Sequence, residues 1–192
     1  MARIPRNPRK LSRLSWSTEI IKESAVRVGV AGWSYPDWEG IVYPSPRPPR
    51  FDPLSFLTRF FSAIEVNSTF YRPAHRGMTL SWARRCQENP DFRFTVKLYK
   101  AFTHQRPASG TDEKAVKEGL RPLVEAGRLG ALLIQFPWSF KHEPDSRRYL
   151  DHLLHRFRDY PRAIEVRHAS WDRPEFYQSL SSPGGGFCNI DQ

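Results

Sequence analysis

Apolar and polar positions alternate with a period of two in several short stretches of this chain. Ile64 and Val66 alternate with Glu65 and Asn67. Phe94, Val96 and Leu98 alternate with Thr95 and Lys97, and Ile134 and Phe136 with Leu133 and Gln135. Ile164 and Val166 alternate with Glu165 and Arg167, and Cys188 and Ile190 with Asn189 and Asp191. This period, carried by β-branched and aromatic residues, predicts strands. They are expected over 27–31, 63–68, 92–98, 131–136, 163–167 and 187–191, each starting about 24 to 39 residues after the one before. That is the repeat of strand–helix–strand units.

The intervening segments switch to helical spacing. Asp52 and Pro53 open a helix whose stripe is Leu54, Leu57 and Phe61. Met78, Trp82 and Cys86 stand four apart on the next. Thr111 is the expected cap of the third, with Asp112 and Glu113 near its positive end, and Pro122 is expected to kink or end it early. Tyr149, Leu150, Leu153, Leu154 and Phe157 form the clearest stripe, stopped by Pro161. Asp172 and Pro174 open a short last helix, ended by the run from Ser181 to Gly186. Gly184-Gly-Gly186 precedes a strand rather than opening a helix, so it reads as a turn and not as a phosphate-cradling loop.

Period-two alternation implies a sheet with one polar face. Helices between the strands imply a covered sheet. A (β/α)8 barrel satisfies both: the apolar faces pack outward on the helices, and the polar faces point into the lumen. The catalytic end of such barrels is the C-terminal end of the strands. Six strands are expected here, where a closed barrel has eight and about 250 residues. The expectation is therefore an α/β, TIM-type barrel of which this chain carries about six units, a fragment of low stability with open edges. A self-sufficient open six-stranded sheet is the alternative.

Composition changes the picture at one place. The chain has 192 residues and a formal net charge of +10. The first eighteen residues hold Arg3, Arg6, Arg9, Lys10 and Arg13 with no acid. Residues 1–25 thus read as a basic, disordered arm ahead of a barrel domain at 26–192. A solvated tail or upstream extension, a polyanion-binding arm and an organelle transit peptide all fit that arm. No stretch has the roughly 20 apolar residues of a membrane helix, so no membrane partner is expected. Cys86 and Cys188 form no metal-ligand spacing or disulfide framework, which makes a reducing cytoplasm the expected location.

Six ordered motifs carry a resemblance. Gly29-Val-Ala-Gly-Trp-Ser-Tyr35, Glu65-Val-Asn-Ser-Thr-Phe-Tyr71, Phe92-Arg-Phe-Thr-Val-Lys97, Thr103-His104, Gln135-Phe-Pro137 and Glu165-Val-Arg-His-Ala-Ser-Trp171 resemble the YecE-like family (DUF72) over residues 26 to 192. The resemblance implies a TIM-type barrel whose pattern continues beyond residue 192. It implies a fold and a pocket rather than a reaction.

The residues themselves suggest chemistry. Glu65 and Glu165 are candidate proton carriers, or structural carboxylates paired with Lys97 and Arg167. Those two cations would hold or stabilise negative charge, or simply compensate the acids. His104 and His168 follow the third and fifth strands, where a proton shuttle or an ordinary loop histidine would sit. Asn67 and Gln135 suit substrate orientation or a structural hydrogen bond. Trp33, Tyr35, Trp38, Tyr71, Trp138 and Trp171 fall in the loops of the catalytic end, with four of the six tryptophans among them. They would stack on a ring or pack the loops. Asp191 closes the set of substrate contacts. No cofactor is expected; a divalent metal on Glu65, Glu165, Asp191 and the histidines is a weaker option, because no His-x-x-x-His spacing supports it.

The leading expectation is an acid–base enzyme, a hydrolase or lyase, acting on a polar anionic small molecule or nucleic acid, most simply a phosphoester. The alternatives are a glycoside-acting enzyme and a non-catalytic nucleic-acid-binding protein that uses the arm. Phosphoester chemistry on this scaffold should respond to metal and chelator, and glycoside chemistry should not.

Overall fold

A computed structural model describes residues 26–180 and 185–190. The arm at 1–25 and Asp191 lie outside the described residues. The strands are β1 (Gly29–Ala31), β2 (Ala63–Val66), β3 (Arg93–Lys97), β4 (Leu129–Gln135), β5 (Arg162–Glu165) and β6 (Gly185–Phe187). The helices are α1 (Pro53–Leu57), α2 (Arg76–Arg85), α3 (Gly110–Glu125), α4 (Pro144–Arg156) and α5 (Pro174–Ser179). All strand pairs are parallel and the order across the sheet is the order along the chain, β1 to β6.

That order decides the architecture. Parallel crossovers are right-handed, so strands added always in one direction place every helix on one face. A doubly wound sheet reverses direction and covers both faces. The described residues show no reversal. They form the wall of a TIM-type (β/α)8 barrel, an α/β fold of six consecutive strands with a helix layer outside and a lumen face inside.

The period-two pattern is what sorts the two faces. Ile64, Val66, Phe94, Val96, Leu132, Ile134 and Ile164 are buried beneath the helices. Trp82 of α2 stacks on Phe94 at 6.0 Å, and Leu120, Leu123, Leu150 and Leu153 supply the helix side of the core. α2 and α3 touch closely at Gly119, where a Cβ would stand 1.9 Å from the Ala74 carbonyl oxygen. The Thr79 hydroxyl donates to the Gly119 carbonyl at 2.6 Å across the same contact.

Three local expectations are corrected. The cap of α3 is Ser109, not Thr111: Ser109 and Asp112 form a reciprocal capping box, which starts the helix two residues earlier. Pro122 does not end α3, which runs to Glu125. A proline so near the C-terminus removes one hydrogen bond, and the burial of Leu120, Pro122 and Leu123 outweighs it. The sixth strand is Gly185–Phe187, so Gly185 and Gly186 are strand rather than turn, and Gly184 lies outside the described residues. Its phase is also reversed. Phe187 pairs with Ile164 and packs on Phe176 and Tyr177 of the helix layer. Alternation then turns Cys188 toward the lumen and Asn189 away from it.

Candidate functional site

The lumen face carries the polar half of each strand to one level. Register places Ala31 beside Glu65, Glu65 beside Thr95, Lys97 beside Leu133, and Gln135 beside Glu165. The face is polar but not wholly so, because Leu133 is buried on it.

Glu165 is the most enclosed charged group of the site, 2% exposed at the end of β5. Gln135 Nε2 donates to its Oε1 at 2.6 Å and Arg167 Nε donates to the same oxygen at 2.9 Å. A buried carboxylate is tolerated only with such partners. Gln135 and Arg167 are therefore both committed to Glu165, while the outer edge of the Arg167 side chain keeps 34% exposure.

Glu65 differs. It is half-buried at the equivalent place in β2 and has neither a side-chain hydrogen bond nor an ion pair among the described residues. The expected pairing of Lys97 with a lumen glutamate does not form. Lys97 Nζ instead lies over the Phe70 ring, 5.1 Å from its centroid. His104 packs edge-on against the same ring at 4.8 Å, and its Nδ1 lies 2.9 Å from the Thr103 hydroxyl. Partial burial first, then the positive charges of Lys97, Arg167 and Arg106, hold the His104 pKa below the usual histidine value. His104 is thus mainly neutral at pH 7. Burial, followed by the negative charges of Glu165 and Glu65, raises the pKa of the Cys188 thiol, while Lys97 opposes them. These mutual influences put Glu65, Lys97, His104, Glu165, Arg167 and Cys188 in one electrostatic neighbourhood.

Asn67, just past β2, makes no side-chain cap to the 3-10 turn Ser68–Phe70 that follows it. His168 is a cap: its Nδ1 accepts from the Ser170 amide at 3.1 Å, which leaves Nε2 for other uses. The aromatic set divides. Tyr71 and Trp138 are 68% and 63% exposed. Trp138 rests on His168 at 4.9 Å. Tyr35 is held down by its hydroxyl, which donates to the Ala31 carbonyl at 2.6 Å. Gly32, at φ +78°, gives the turn that brings that ring so close. Trp33 and Trp38 pack against the core, on Trp82 and Tyr43 respectively. Trp171 is not on the rim at all: it is 2% exposed, stacks on Phe140 at 5.3 Å, and its indole N–H donates to the Phe140 carbonyl. A tryptophan so enclosed, with its one polar atom satisfied, is core.

Four residues outside the sequence-based set join the site: Phe70, Lys100, Arg106 and Cys188. The signal for two of them was on the page, since no acid occurs between Phe92 and Thr111 while basic residues recur. Among the described residues no group of three or more His, Cys, Asp or Glu is placed to hold a metal ion. Two clefts of about 350 and 460 Å³ lie around His142, Arg147 and Asp151, and neither is lined by a lumen acid. No helix of the described residues is long and apolar enough to cross a membrane.

A barrel wall with charged groups gathered at the strand C-terminal ends defines an α/β protein of the TIM-barrel class. The particular family follows from comparison with known proteins. The family described as "Protein of unknown function DUF72" matches residues 27–192, and the chain belongs to it. It is 30% identical over 163 residues to UPF0759 protein YunF of Bacillus subtilis (strain 168), an alignment covering 82% of this chain and 56% of that one. A DUF72 family protein from Thermotoga maritima superposes with a TM-score of 0.67 at 34% identity, covering 84% of this chain and 63% of the other. Another, from Enterococcus faecalis, gives 0.66 at 25% identity, covering 80% and 55%. The chain thus spans little more than half the length of YunF.

Proposed function

We propose that the lumen face is the active site of an acid–base enzyme acting on a polar, anionic substrate of the phosphoester type. The observation that carries this reading is an imbalance. Three cations, Lys97, Arg167 and Arg106, act on His104, while only Glu165 of the two lumen carboxylates is bonded to any of them. Uncompensated positive charge gathered in one place favours an anion. An uncompensated carboxylate beside it is suited to proton transfer.

In a hydrolysis, Glu65 takes the proton of the attacking water and the new oxygen–phosphorus bond forms. Lys97 and Arg167 stabilise the negative charge that builds on the phosphoryl oxygens. His104 is neutral in the empty site. A bound anion offsets the cations around it, raises its pKa and lets it carry a proton to the leaving oxygen as the old bond breaks. Glu165 acts as a positioning residue, orienting Arg167 and Gln135.

The test is turnover of p-nitrophenyl phosphate, bis(p-nitrophenyl) phosphate and p-nitrophenyl glycosides by the full chain and by Glu65→Gln, each with chelator and with added Mg²⁺. Phosphoester turnover reduced about 100-fold or more by Glu65→Gln supports the proposal. Turnover of glycosides alone, or phosphoester turnover indifferent to Glu65→Gln, overturns it.

A further inference from the structure

The stretch from the last residue of β3 to α3 carries Lys97, Lys100, His104 and Arg106 and no acid. Each of its three strong cations lies over an aromatic ring supplied by another part of the fold. Lys97 covers Phe70, Lys100 Nζ is 5.8 Å from the Tyr71 centroid, and Arg106 is 4.9 Å from Phe140 and 5.4 Å from Tyr149. None of the three has a carboxylate within ion-pair distance among the described residues. Some other basic side chains do: Arg85 pairs with Asp52, Arg156 with Glu113 and Arg121 with Glu125.

The loop is also tied down. The amides of Thr103, His104 and Gln105 all point at the Lys100 carbonyl, at 3.2, 2.8 and 3.1 Å. The Lys100 amide donates to the Phe70 carbonyl, the Thr69 hydroxyl to the Lys97 carbonyl, and the Tyr149 hydroxyl to the Phe102 carbonyl. Cations on so fixed a backbone, resting on ring faces, lose little freedom when they grip a ligand.

We infer that Lys97, Lys100 and Arg106 form a preorganised arm that grips a phosphate-type, multiply charged anion at the rim beside the lumen acids. The inference rests on the acid–base reading for what the arm serves, and names the anionic end of that substrate. The remainder of the substrate would then lie between the arm and Glu65, with Tyr71 as the exposed ring at its edge. Carboxylate monoanions, with a single charge to share among three cations, would bind less tightly.

The experiment is calorimetric binding of inorganic phosphate and pyrophosphate to the full chain at fixed ionic strength, with acetate as the singly charged comparison. The variants are Lys100→Gln, Arg106→Gln, Arg106→Lys and, as a charge-matched control on the outer face of α3, Arg121→Gln. Expected is binding of pyrophosphate over acetate, weakened about tenfold by Lys100→Gln or Arg106→Gln and unchanged by Arg121→Gln. Retention in Arg106→Lys keeps the test interpretable if Arg106→Gln folds poorly. In parallel, the His104 ring, followed by NMR through a pH titration, should rise in pKa when pyrophosphate is added. No binding, equal loss in Arg121→Gln, or a His104 titration blind to pyrophosphate overturns the inference. Glu65→Gln separates the two proposals: losing a nearby negative charge should not weaken pyrophosphate binding, so retained or tighter binding with turnover indifferent to Glu65→Gln sinks the acid–base reading and spares the arm.

Discussion

Ala-Ile-Glu-Val occurs twice, at 63–66 in β2 and at 163–166 beginning in β5, and the two copies have different fates. In both, the isoleucine is buried under the helices and the glutamate faces the lumen. Glu165 is sealed at 2% exposure and bonded to Gln135 and Arg167. Glu65 is half-buried and, among the described residues, bonded to neither a base nor an amide. The difference lies in the neighbours. Register sets Glu65 between Ala31 and Thr95, which offer no strong donor, and sets Glu165 beside Gln135, with Arg167 two residues on. One tetrapeptide thus yields a carboxylate bonded on its strand neighbours and one without side-chain partners among the described residues, because the surroundings of a strand residue are decided by the strands alongside it.

The comparison is broken most sharply at Arg167. Arg167→Ala leaves a buried carboxylate with one partner, and should destabilise the chain by about 2 to 3 kcal/mol at pH 7, somewhat less than a fully buried pair would. Glu165→Gln in the same background should restore most of that loss. Denaturant unfolding of the four members of the cycle measures the coupling. Additive losses would mean that Glu165 does not depend on Arg167.

A carboxylate outside the lumen calibrates the scale. Asp52 caps α1 and pairs with Arg85. Burial pushes its pKa up, but hydrogen bonds from Arg85 and Ser55 outweigh this and bring it to about 2. A carboxyl depressed on folding stabilises above its unfolded pKa, near 4, and that stability is lost as the pH falls toward 2. With partial exposure the contribution is about 1 to 2 kcal/mol. Asp52→Asn keeps the cap and should flatten the loss of stability between pH 4 and pH 2. An unchanged acid limb would remove Asp52 as its source.

Glu65→Gln is the counterpart with the smaller structural effect. With no side-chain partner to lose among the described residues, it should change stability by no more than about 0.5 kcal/mol. A larger loss would show that Glu65 carries structure, and would take away the contrast with Glu165.

The sequence made the sheet legible because alternation is a local property. The faces of β2 to β5 follow from it, and so does a polar lumen. What escaped it was non-local or balanced between close alternatives. In β6 the glycines carry no side-chain pattern, so the strand was placed two residues late and in the wrong phase. Trp171 looks like a rim residue by position, yet Phe140, 31 residues earlier, offers the carbonyl and ring that bury it. Lys97 was matched to a glutamate by charge, but Phe70 from another loop takes it. Lys100 and Arg106 carry no signal residue by residue; their meaning lies in the absence of acids around them.

The last prediction asks whether the two halves of the lumen are one site. His104 stands on the β3 side and Arg167 follows β5, yet the Arg167 charge helps to lower the His104 pKa. Removing a positive charge favours the imidazolium, so Arg167→Ala should raise that pKa by a fraction of a unit. Lys97 acts on this ring more strongly than Arg167, so Lys97→Met should give the larger rise. NMR titration of the ring protons in both variants measures the two shifts at low salt, where screening is least. A rise in both makes Glu65, His104 and the Glu165–Arg167 pair members of one field, able to act on one ligand. A rise in Lys97→Met alone would separate β5 from His104 and confine the candidate site to the Glu65 half.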